Sequence, residues 1–260
     1  MPLFSTFSVA SANSYKSNFS QGLYFVGGAI TNKAASTSGT TTMPLDSGLT
    51  GGISSSAEKG DFVIALYAVS STLDVALSIT DGTTEYNLIG SELYGNSTAD
   101  INLRIAYKFI TDDTSTTFGP TGQAGIVDGN GSTAVYVFRN VDTTTPLDGV
   151  TPTTSTSTTT RLANPPAITP ITKGSYIVCA GAGGTGTSGV GPYSTPSDLT
   201  GWFTDVRSGA SAFSGVAITG IGHKDDWVSG EFNPSAFTLA AGADSTAAAS
   251  AAISFVLRPA

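Results

Sequence analysis

The sequence predicts an all-β chain: two tandem antiparallel β-sandwich modules, jelly-roll or immunoglobulin-like, from an internal duplication preceded by an N-terminal arm. Three observations predict it. The run Ala134-Val-Tyr-Val-Phe-Arg139 returns as Ile253-Ser-Phe-Val-Leu-Arg258, a separation of 119 that also pairs Phe118 with Phe237. Upstream the separation falls to 116, pairing Ala106-Tyr-Lys108 with Gly222-His-Lys224 and Tyr86 with Trp202, then to 114, pairing Lys59-Gly-Asp-Phe-Val-Ile64 with Lys173-Gly-Ser-Tyr-Ile-Val178. Small steps between matched strand-like runs are what a duplicated module with loop insertions produces. The third observation is composition: 33 Ser and 38 Thr exceed a quarter of the chain, with 31 Gly and 12 Pro, a mixture that suits strands and turns better than helices.

The repeat divides 260 residues into two units of roughly 110–120, a normal domain size in which each copy can bury its own core. The boundaries fall at an arm over 1–22, a first module over 23–149 and a second over 150–260. With 40% hydrophobic and only 12% charged residues, the chain is too apolar for disorder. A formal net charge of −8 and a pI near 4.4, with no Lys/Arg cluster, argue against nucleic-acid binding. The opening Met1-Pro-Leu-Phe-Ser-Thr-Phe-Ser-Val-Ala10 lacks both a basic segment and a continuous apolar run, so it does not read as a secretory signal, and no stretch reads as a membrane span.

In chain order, the arm carries Phe4, Phe7, Tyr15 and Phe19 among Ser and Asn, and exposed aromatics on an arm dock on something. Leu23-Tyr-Phe-Val26 opens the first module. Asp61-Phe-Val-Ile-Ala-Leu-Tyr-Ala-Val69 is apolar at every second and every intervening position, the pattern of a central strand covered on both faces. Leu103-Arg-Ile-Ala-Tyr-Lys-Phe109 alternates instead, so Leu103, Ile105, Tyr107 and Phe109 face a core while Arg104 and Lys108 look outward. Thr151–Thr160 is a linker or, because β-branched Thr favours strands, an edge strand of module two. A Gly-rich insertion follows at 181–191. The Ala-rich run near 244–252 has helix propensity, but its alignment with 125–133 makes it a loop running into a strand.

Few residues carry a chemical motif. Gly181-Ala-Gly-Gly-Thr-Gly186 matches the dinucleotide-binding glycine pattern, yet Pro192 and Pro196 follow where a helix is required. Cys179 sits in an apolar run and reads as a small core residue. His223, the single histidine, aligns with core-facing Tyr107 and reads as packing. Asp112-Asp113 and Asp225-Asp226 supply the paired carboxylates a polysaccharide hydrolase needs, but at strand ends where acids open solvated loops. Asp128, Asn130, Asp142 and Asp148 lack the spacing of a calcium loop. No catalytic, cofactor-binding or metal residue is assigned. Loop aromatics Tyr94, Tyr193 and Trp227 are the candidates for contact with a sugar face.

The order Lys-Gly-Asp with an apolar strand, Ala-Tyr-Lys, then Phe138-Arg-Asn-Val-Asp-Thr-Thr-Thr-Pro-Leu-Asp148 resembles a sandwich module recurring in bacteriophage virion proteins of the tail-fibre and structural type. The likeness covers 59–149 and, more loosely, 173–258, since the second copy lacks the Asp-Thr-Thr-Thr-Pro-Leu-Asp tail. Phe7-Ser-Val-Ala-Ser-Ala12 is similar to the arms of such proteins. The resemblance implies a non-enzymatic virion component without a cofactor, either a host-facing tail-fibre or tail-tip adhesin or a head decoration protein. Its expected partners are other virion proteins met through the arm, further copies of itself, and a host surface glycan.

Overall fold

The computed structural model describes residues 22–32, 40–71, 74, 76–96, 100–112, 115–119, 126–185, 191–207, 216–240 and 248–260. The arm aromatics Phe4, Phe7, Tyr15 and Phe19 lie outside the described residues, as does Asp113. The described residues form strands and turns with no α-helix. In order the strands are β1 (Tyr24–Asn32), β2 (Thr41–Pro44), β3 (Phe62–Ser71), β4 (Ile79–Thr80), β5 (Asn87–Leu88), β6 (Leu93–Gly95) and β7 (Ile101–Phe109). They continue with β8 (Ser115–Phe118), β9 (Ile126–Arg139), β10 (Thr153–Ser157), β11 (Tyr176–Thr185), β12 (Thr200–Arg207), β13 (Val216–Lys224) and β14 (Ser250–Leu257).

Three antiparallel sheets result. The first runs β1-β9-β3-β7-β5 with β6 also on β7, the second runs β10-β14-β11-β13-β12, and a small third sheet runs β2-β8-β4. Leaving β6 aside, each large sheet begins with its earliest strand, places the last beside it, and continues second, fourth, third. The registers agree as well. Ile64 lies opposite Tyr107 and Tyr136, while Val178 lies opposite His223 and Phe255, at separations of 114, 116 and 119.

The large sheets pack face to face. Phe62, Ile64, Leu66 and Ala68 of β3 meet Val178, Ala180 and Ala182 of β11 and Ala251, Ile253 and Phe255 of β14 in one buried cluster. The opposite face of β3, with Val63, Ala65, Tyr67 and Val69, packs under the small sheet against Met43, Ile79 and Phe118. The outer face of β11 and β14, with Ile177, Cys179 and Val256, is covered by coil carrying Ala163, Ile168, Tyr193 and Phe237. Each half therefore has a private core, and the two halves share a third between them. Double coverage explains why β3 is apolar throughout.

Among the described residues the second half has no outer sheet, and glycines on that face of its strands let coil approach instead. An added Cβ at Gly181 would lie 2.5 Å from the Ala163 Cβ, and one at Gly183 would strike the Arg161 carbonyl and sit 2.6 Å from the Tyr193 hydroxyl. Gly222 gives Trp202 the same room, at 3.0 Å. The glycines let coil lie on the sheet at backbone distance. The expected Gly-rich insertion is thus corrected: its first five residues continue β11 to Thr185. The Thr-rich stretch is an edge strand, β10, paired with β14, and the end of the Ala-rich run enters β14.

Candidate functional site

Strand direction gives the molecule two ends. At one, Phe62 and Tyr176 open β3 and β11 beside Phe109, Phe138 and Leu257. At the other, Ser71 meets Ile126 and Thr185 meets Val216. The described chain starts at the first end, where Asn140 Nδ2 donates to the Gly22 carbonyl at 3.2 Å. That end is a set of tight, charge-locked corners.

In the first half Arg139 grips both oxygens of Asp61 at 2.8 and 2.9 Å and lies 3.3 Å from Glu58. Asp61 also accepts the Glu58 amide at 2.8 Å, closing the Lys59-Gly60 turn. Lys59 bridges to Asp112 at 2.9 Å beside a cavity of about 210 Å³ lined by Leu45, Asp46, Glu58 and Ile110. In the second half Ser175 replaces Asp61, and Asp148 takes over its capping, accepting the Ile171 and Thr172 amides at 2.8 and 3.1 Å. Arg258, the counterpart of Arg139, lies 3.6 Å from Asp142, whose other oxygen accepts the Thr144 and Thr145 amides. Those amides hold the Asp142 carboxyl below the ordinary carboxylate range, with the Arg258 charge adding to the effect.

Other acids on the first sheet are likewise engaged. Arg104 spans Glu85 at 3.0 Å and Glu92 at 2.7 Å, while Lys108 contacts Asp81, whose carboxylate caps the Thr83 and Thr84 amides. Of the acids paired in the sequence, Asp112 is exposed and salt-bridged, Asp225 half-buried and Asp226 exposed at a positive φ of 50°. No group of three or more His, Cys, Asp or Glu side chains converges on a metal-sized site among the described residues. No family model, curated protein or solved structure matches the chain.

His223 sits where the two sheets meet. It is 4% exposed, stacked on Tyr176 at 5.2 Å, and its Nδ1 lies 2.5 Å from the Tyr136 hydroxyl, which donates to the Gly201 carbonyl at 2.8 Å. With Nδ1 carrying the proton, both polar groups are satisfied. Burial pushes the imidazole down to about 4 and the phenol up, so the ring is neutral at pH 7. Cys179 is buried and its thiol pushed up to about 12 by burial, which removes it as a nucleophile.

The candidate sugar-contact aromatics do not come together. Tyr193 is 1% exposed, its ring 5.5 Å from Phe237 and its hydroxyl on the Arg161 carbonyl, so it has no open face and the expectation for it is corrected. Its sequence context of Gly and Pro gave no sign of the covering coil. Tyr94, half-buried on β6, donates to Glu92 at 2.7 Å, and burial with the Glu92 carboxylate pushes its phenol up to about 12. Trp227 is half-buried just beyond β13, its Nε1 donating to Gly230 at 2.9 Å. Tyr94 pairs at the start of β7 and Trp227 follows the end of β13, which places them at opposite ends.

Proposed function

We propose that the chain is a non-enzymatic bacteriophage virion structural protein, a host-facing tail-fibre or tail-tip component built by internal duplication and tethered through residues 1–22. The observation that carries the proposal is the pair of sheets, alike in strand order and register, locked face to face with the arm root at one end. A slab with three buried cores on a tether suits mechanical display. Its acidic side chains support the same view: Asp61, Asp81, Asp142 and Asp148 cap turns or hold cations rather than face one another across a cleft. The resemblance of Phe138–Asp148 to virion modules supplies the setting. Tyr94 and Trp227 stay as candidates for host glycan contact.

Deletion of residues 1–22 tests the tether. Particles assembled with the truncated chain should lack it, while its circular dichroism and melting profile stay those of a folded β protein. Gold labelling of the full chain should decorate the tail. Label on the head instead would favour a decoration role, and normal incorporation of the truncated chain would sink the tether. For the absence of catalysis, Asp112, Asp113, Asp225 and Asp226 replaced together by Asn should leave melting and any glycan binding largely unchanged. Glycan turnover that disappears in this variant would overturn the proposal.

A further inference from the structure

The two halves differ at their equivalent corners on the arm end. In the first, the Gly60 amide donates to Ile110 and the Ile110 amide to Asp61, both at 2.8 Å; in the second, Gly174 donates to Trp227 at 2.9 Å and Trp227 to Ser175 at 3.1 Å. The same turn thus carries different surfaces. Where the first half has half-buried Ala57 and exposed Thr111 beside the Lys59–Asp112 ion pair, the second has Ile171 and Val228, 70% and 62% exposed, beside the half-buried Trp227. The fold does not demand large apolar residues at the positions of Ile171 and Val228, since the first half makes the turn with Ala57 and Thr111 there. The surface is also prebuilt: Asp148 fixes the Ile171 and Thr172 amides, and Gly230 fixes the Trp227 indole.

We propose that Ile171, Trp227 and Val228 form the docking surface for residues 1–21 of a second copy of this chain, an inference that rests on the arm being an attachment device. Three observations select this occupant. The arm offers Phe4, Phe7, Tyr15 and Phe19 with Lys16 as its single charged side chain, and the rim of the surface has Asp225, Asp226 and Glu231 against Lys173 and Lys224. An apolar, weakly cationic segment therefore meets an apolar surface with a slightly acidic rim. The described chain begins at Gly22 on this same end, and 21 residues reach up to about 70 Å when extended, enough to pass from one copy to the next. The arm belongs to the first half and the surface to the second, so each copy presents one of each. Contacts of this kind join unlike surfaces, so they generate rings or filaments unless two copies exchange arms reciprocally and close as a pair.

Sedimentation velocity on the full chain over a dilution series tests this with two variants, Ile171→Ser/Val228→Ser and Phe4→Ser/Phe7→Ser. The wild type should associate with increasing concentration. Each variant should associate about a hundredfold more weakly or not at all, the loss expected when two large apolar side chains leave an interface, with melting unchanged because the altered surface positions are exposed. An equimolar mixture of the two variants should form dimers and stop there, since one copy keeps only its arm and the other only its surface. A wild type that stays monomeric throughout, variants that associate as the wild type does, or a mixture that remains monomeric would each overturn the proposal. Loss of particle incorporation on arm deletion alongside any of these results would leave the tether standing and remove only this surface.

Discussion

Single residues settle two properties that can be measured directly. His223 is held neutral between the sheets with its pKa lowered to about 4, whereas an unfolded chain titrates near 6.5. Between those values the unfolded state binds more protons, so stability is full above about pH 6.5, falls as pH drops toward 4, and levels off below. The expected loss is about 3 kcal/mol. Urea titrations at pH 7 and pH 4.5 should show it, and His223→Phe should flatten that part of the profile; an unchanged slope would mean that other groups carry it. Gly183 is the second case. Ala there drives a Cβ into the Arg161 carbonyl, and overpacking against backbone should cost about 1–3 kcal/mol. Phe118 and Phe237, both fully buried on the inner side of the outer layers, should each cost about 3–5 kcal/mol as Ala. A change within about 0.5 kcal/mol would place either ring at the surface.

At the scale of elements, the turn over 140–149 does the work of a clasp. The Asp142 amide donates to Arg258, the Arg258 amide to Pro146, and the Ala260 amide to Asn140, so the turn closing the first half also holds the chain's last strand. Asp148, buried and at a positive φ of 53°, reaches on to the corner at 171–172. The Asp-Thr-Thr-Thr-Pro-Leu-Asp turn thus makes contacts in both halves. Asp148→Ala should cost about 1–3 kcal/mol by leaving two amides without an acceptor, while Asp148→Asn keeps both an oxygen and a residue tolerant of positive φ and should cost less. Equal melting temperatures for the two variants would count against the capping role.

For the whole molecule, the decisive feature is that the cluster between the large sheets draws side chains from both halves. Separated at 149/150, each half would expose one full apolar face, an area that soluble monomers rarely leave bare. Fragments 22–149 and 150–260 expressed alone should bind a hydrophobic dye and aggregate, and together should form a 1:1 complex that melts cooperatively. Two fragments that each stay monomeric and dye-free would show that the shared core is dispensable.

The sequence by itself determined the all-β class, the central place of the strand at 62–71, and the registers that the offsets 114, 116 and 119 encode, because alternation and turn residues act locally. It also marked Cys179, through its apolar run, and His223, through its aligned neighbour, as packed side chains, and it left Thr151–Thr160 as a linker or an edge strand. It left open what covers each sheet. A strand apolar on both faces declares two covering layers without naming them, and here one is the other half of the chain. Gly181 and Gly183 read as a loop for the same reason: the coil that needs their missing side chains is distant in sequence. Tyr193 looked like a loop aromatic and is buried by its hydroxyl's bond to the Arg161 carbonyl and its ring's contact with Phe237. Contacts between distant segments leave no local periodicity, so the tertiary structure alone decided which faces meet, which aromatics vanish, and which corner stays apolar and open.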